Sequence, residues 1–126
     1  MVQVDISQLS TECNAWREQL RKYREEFNQD ETQLRQVASQ PLSKDQLQDV
    51  EHLHNQFHIQ LINIHDLKQA IKIHDRRLNY EMTTQNGSLQ EESLSKHESL
   101  ADEYQLLDQT LQDLRVEFKD FLNRAR

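Results

Sequence analysis

The chain has 126 residues, with 15 Lys and Arg against 22 Asp and Glu, a net charge of −7 and only 35% hydrophobic residues. One glycine and one proline leave no material for the frequent tight turns of a sheet protein or for a phosphate-cradling loop, so the class is all-α and Rossmann and P-loop folds are excluded. The acidic balance gives no electrostatic footprint for nucleic acid, and no apolar stretch approaches the roughly 20 residues of a membrane span.

Asp5 and Gln8 form a D-x-x-Q capping pair, with Val4 placed to staple onto Leu9, so the first helix opens near residue 6. Its apolar residues recur as Ile6, Leu9, Cys13, Trp16, Leu20, Tyr23 and Phe27, then a polar Asp30, then Leu34 and Val37. Alternating steps of three and four make this a heptad seam. Pro41 disfavours helical geometry at Gln40 and ends the helix by about 39. Cys13, the single cysteine, cannot close an internal disulfide, and no cationic start with an apolar signal core precedes it, so a cytoplasmic location is expected.

Ser43 and Gln46 form a second capping box, with Leu42 placed to staple onto Leu47, and open a helix over about 44–84. Its seam reads Leu47, Val50, His54, Phe57, Leu61, Ile64, Lys68, Ile71, Asp75, Leu78, Met82. Asn86-Gly87 suits the left-handed turn after a helix, and a third capping box, Ser88 with Glu91, opens the last helix over about 89–124. There the seam is His97, Leu100, Tyr104, Leu107, Leu111, Leu114, Phe118, Phe121, Ala125. Long rods with two short connections predict one helical domain over 1–126, an up-down-up antiparallel three-helix bundle with coiled-coil-like helices.

Reflecting the seams about the two connections predicts, within two or three positions, which residues share a layer. Ile6 meets Asp75 and His97, Cys13 meets Lys68 and Tyr104, and Phe27 meets His54 and Phe118. Asp75, His97, Lys68 and Tyr104 are thus expected as buried polar groups that fix register, with Asp75 and His97 paired.

Five of the six histidines lie on the second helix. Glu51 with His54 makes the Glu-x-x-His step of di-iron carboxylate bundles, and His58 follows one turn on, but no second such step exists. Solvated histidines are the simpler reading, and no metal or cofactor is expected. Cys13 is expected as a small buried thiol, and no Ser or Cys stands within expected reach of a His–Asp pair, so no catalytic residues are assigned.

In the heptad frame of the second helix, Ile59, Ile62, Ala70 and Ile73 fall away from the seam. Apolar residues on the outer face of a surface helix imply a cover: the other two helices splayed apart, a second copy, or another protein. With Trp16 on the seam of the first of three antiparallel helices, the chain is similar in architecture to a spectrin-type repeat. In length and acidity it is also similar to the small helical secretion chaperones of flagellar export. The sequence therefore predicts a non-enzymatic helical protein–protein interaction or scaffold module that self-associates as a homodimer. A partner would be itself or another helical protein, without nucleic acid or membrane. The alternatives are a secretion-type chaperone that covers an amphipathic client helix, and a di-iron-like bundle using Glu51, His54 and His58.

Overall fold

The computed structural model describes residues 5–84 and 89–125. They form α1 (Ile6–Ala38), α2 (Lys44–Thr84) and α3 (Glu91–Arg124), packed as a three-helix bundle with no strand among the described residues. No helix is long and apolar enough to cross a membrane. The staple from Val4, the Asn86-Gly87 turn and the Ser88 cap lie outside the described residues.

The helix ends follow from local chemistry. Asp5 caps α1 by accepting from the Ser7 N–H at 2.9 Å, one residue earlier than the expected Gln8 amide. At its other end the Ser39 and Gln40 amides donate to the Arg35 and Val37 carbonyls, consuming carbonyls that would otherwise be orphaned just before Pro41. The capping box of α2 is reciprocal: Ser43 N donates to Gln46 Oε1 at 2.9 Å, and Gln46 N donates to Ser43 Oγ at 3.2 Å. Such a cap contributes about 1 kcal/mol. Helix α3 starts two residues later than the sequence suggests, after Gln90, which makes no side-chain cap. Glu91 and Glu92 in its first turn supply negative charge to that amino terminus instead.

Helix α2 is the central element, packed against both neighbours. The seam of α1 is as expected, with Ile6, Leu9, Cys13, Leu20, Tyr23, Phe27, Asp30 and Leu34 buried. That of α2 is displaced by one position. Phe57, Ile64, Ile71 and Leu78 are buried, but the alternate rungs are Leu53, Gln60, Leu67, His74 and Glu81 in place of His54, Leu61, Lys68 and Met82. Leu47 is half exposed as well. A central helix has two seams, so its inward face is three positions wide. Leu61, Lys68 and Met82 sit part-buried at the edge of that face, and His54 lies outside it.

The layers move accordingly. Phe57, rather than His54, sits between Phe27 and Phe118, with ring centroids 5.3 and 5.2 Å away and edge-to-face tilts of 65° and 80°. One layer is thus three phenylalanines, one from each helix, all buried. Helices α1 and α3 approach each other less closely and are bridged by long side chains. Tyr23 Oη donates to Asp108 Oδ1 at 2.6 Å, and Trp16 stacks on Tyr104 at 5.8 Å. Arg115 Nε donates to the buried Asp30 at 3.0 Å, and its Nη1 donates to Glu26 at 2.7 Å.

Candidate functional site

Two features go beyond what holds three helices together: an apolar outer face on α2 and a buried polar layer near the α2–α3 connection.

Ile59, Ile62 and Ile73 are 45, 49 and 65% exposed, so neither α1 nor α3 wraps around to cover them. Ile59, Asp66, Ile73 and Tyr80 are spaced by sevens and form one edge of α2. Ala70 is part-buried against the core. It also lines an open groove of about 540 Å³ between α2 and α3, with Leu67, Leu106, Leu107, Asp66 and Glu103. Leu106 is 72% exposed there. The groove and the isoleucine edge meet at Asp66, and Gln60, Asn63 and Thr110 also line the groove, so its apolar residues are interspersed with polar ones. Ile62 faces the α1 side, beside His58, His65 and Lys68.

The polar layer brings together residues from all three helices. His97 is buried on α3. Its Nε2 lies 3.0 Å from Glu12 Oε2 of α1, and its Nδ1 lies 3.0 Å from His74 Nε2 of α2 and 4.0 Å from Cys13 Sγ. Glu12 can only accept, so it holds a proton on His97 Nε2. A neutral His97 then accepts at Nδ1 from the His74 Nε2–H. Trp16 covers the His97 ring at 4.9 Å.

The Asp75–His97 pair expected from the sequence is replaced. With the α2 seam displaced, His74 takes the position opposite His97. Asp75, also buried, turns toward α1, where Ser10 Oγ donates to it at 2.6 Å and Arg17 Nη2 at 3.3 Å. Lys68 is part-buried, lining a shallow surface with Asn14, Arg17, Glu18 and Arg21 rather than meeting Cys13. Tyr104 is also only part-buried.

Glu51, His54 and His58 are all exposed on α2, and His54 has Glu31 at 4.0 Å. Among the described residues the metal-capable donors that converge are Cys13, His74 and His97. His74 was missed because it stands beside Asp75, and both fit a seam rung. The signal that could have found it is the three-four spacing from Ile71 through His74 to Leu78.

Burial sets the electrostatics of this layer. It pushes the Cys13 thiol up to about 12, an effect reinforced by Asp75 and opposed by Arg17. The thiol is therefore protonated and inert as a nucleophile near neutral pH. Burial also lowers His74 from 6.5 to about 4; the charges of His97 and Lys96 act the same way, while Asp75 and Glu81 oppose.

A stability effect follows from His74. Its folded value is depressed, so its contribution is fully present above pH 6.5 and is lost as pH falls from there toward 4, where the curve flattens. The size is on the order of 3 kcal/mol. Urea denaturation of the protein and of His74→Gln across this range checks it: the difference in unfolding free energy should change by about that amount. A difference independent of pH would show that His74 ionises alike in both states.

No known protein family, curated protein or solved structure matches the chain.

Proposed function

We propose that the chain is a non-enzymatic helical interaction module that associates with a second copy of itself through the outer face of α2. The observation that carries this reading is the exposure of Ile59, Ile62 and Ile73 on one helix. Scattered single apolar residues on a surface are ordinary. Three isoleucines beside an apolar groove form a patch of the kind that marks an interaction site.

Their spacing suits a self-complementary contact. In an antiparallel two-fold pairing of α2 centred on Asp66, Ile59 opposes the partner's Ile73, seven positions either side of the centre. Ile62 opposes the partner's Ala70, four positions either side. One patch used twice therefore matches large residues to large and Ile62 to the small Ala70 beside the groove. The two Asp66 carboxylates near the axis oppose the contact and keep it modest.

Burying an isoleucine contributes about 1.5–3 kcal/mol from full exposure, so half-exposed side chains give roughly half that each. Six of them in a two-fold contact contribute roughly 5–9 kcal/mol, about as much as association costs, so a dimer at tens of micromolar also needs the burial of groove residues such as Leu106 beside them.

Replacing Ile59, Ile62 and Ile73 together with Glu tests the surface. A helical, cooperatively unfolding monomer by light scattering, beside a dimeric parent at tens of micromolar, is the expected outcome. A variant as dimeric as its parent would move the contact elsewhere. The groove lined by Leu67, Ala70, Leu106 and Leu107 supports a second reading, a chaperone that covers an amphipathic client helix, since that mode uses an apolar groove between helices.

A further inference from the structure

We propose that Cys13, His74 and His97 form a zinc-binding site in the core near the α2–α3 connection, with Glu12 as the group that orients His97. One thiolate and two imidazoles are a donor set suited to Zn²⁺, a borderline-soft cation. The three donor atoms lie within 4.8 Å of one another, and all three residues are buried. They come from three different helices, so the bundle itself gathers them.

The distances are close to what coordination requires. Zn–N bonds of about 2.0–2.1 Å and a Zn–S bond of about 2.3 Å place tetrahedral donors roughly 3.3–3.6 Å apart. His74 Nε2 and His97 Nδ1 are 3.0 Å apart, and Cys13 Sγ is 4.0 Å from His97 Nδ1. Side-chain adjustments of about half an ångström bring these two into that range, and the remaining Cys13–His74 pair, within 4.8 Å, must close by up to about 1.2 Å. Three protein donors leave a fourth position for water.

Without a cation the cluster is poorly matched to itself. The His74 N–H and the Cys13 S–H both converge on one lone pair, that of His97 Nδ1. A cation at the centre uses a lone pair from each donor. The thiol proton leaves to solvent, and the His74 proton moves from Nε2 to Nδ1, a buried atom with no hydrogen-bond partner among the described residues, which is a cost of the site. His97 already presents a free Nδ1. Its other nitrogen donates to Glu12 at 3.0 Å, the carboxylate–imidazole–metal arrangement that fixes tautomer and orientation in zinc proteins. The surroundings also balance charge: the thiolate, Glu12 and Asp75 supply three negative charges against Zn²⁺ and Arg17.

Untagged protein, reduced and stripped with a chelator, is titrated with Co²⁺ as a spectroscopic stand-in and with Zn²⁺ in competition with a chromogenic chelator. One cation per chain and a thiolate-to-cobalt charge-transfer absorption are expected in the unaltered protein. Cys13→Ser should abolish that absorption and weaken Zn²⁺ binding at least a hundredfold, and Glu12→Gln should weaken it by about 10–100-fold. The double variant His54→Ala/His58→Ala should bind as the parent does. Absence of the charge-transfer absorption in the unaltered protein, which needs no variant to fold, would overturn the site. So would binding that depends on His54 and His58 and not on Cys13.

Discussion

Phe57→Ala should cost about 3–5 kcal/mol of stability, the range for removing a fully buried aromatic ring. Phe57 is completely enclosed, and its ring stands edge-to-face between those of Phe27 and Phe118 in a layer that joins all three helices. Deleting it removes two edge-to-face contacts and leaves a cavity in the half of the bundle nearer the α1–α2 connection, where collapse of one helix onto the gap would misalign the neighbouring layers. Against a total stability of about 5–15 kcal/mol the loss is severe. Urea denaturation at a fixed protein concentration measures it, and the midpoint should fall without a change in slope. A loss below about 1 kcal/mol would mean that the three rings do not share a layer.

Arg115→Met should cost about 2–3 kcal/mol. Its guanidinium donates to both oxygens of Asp30, at 3.0 and 3.4 Å, and to Glu26 at 2.7 Å. Asp30 is buried on the seam of α1, so losing Arg115 strands a carboxylate in the core, and the penalty is that of the unpaired charge rather than the worth of the pair. Arg115 is about a quarter exposed, which lets water screen part of the effect and sets the figure below that of a fully buried pair. The double variant Asp30→Leu/Arg115→Met should recover most of the loss, because neither charge then remains. A single variant as stable as its parent, or a double variant less stable than the single, would show that this bridge does not hold α1 to α3.

The rods themselves were legible because their ends carry local chemistry. Asp5, Pro41 and the Ser43–Gln46 box act within a few residues and need no tertiary partner, and every rung of the α1 ladder but Asp30 has an apolar residue. Helix α2 is different. Leu53 or His54, Gln60 or Leu61, Leu67 or Lys68, and His74 or Asp75 each offer two neighbouring candidates, and both ladders share Phe57, Ile64, Ile71 and Leu78. Both also contain polar members, so hydrophobicity alone does not choose between them. Tertiary contact does: α2 faces two helices at once, and its buried face widens toward α3. That displacement put His74 opposite His97, while Phe57, common to both ladders, lies between Phe27 and Phe118 because the layer falls three positions from the one the reflection predicts.

Pairings between helices were legible least. Asp30 was visible as a polar rung, but Arg115 as its partner depends on how far apart α1 and α3 stand. Ser93 and Glu81 show the same limit. Ser93 Oγ donates to Glu81 at 2.7 Å, and both are buried, yet neither lies on an expected seam. The outer isoleucines, in contrast, follow directly from the seam, because any residue placed well away from Ile64 and Ile71 on the same helix must face outward.

Sedimentation equilibrium of the unaltered chain from about 1 to 100 µM tests the self-association most directly. The weight-average mass should rise with concentration from the 15.1 kDa of one chain toward twice that value, as a weak two-fold dimer requires. A mass that stays at one chain throughout would contradict the proposal and leave the outer face of α2 to a different partner.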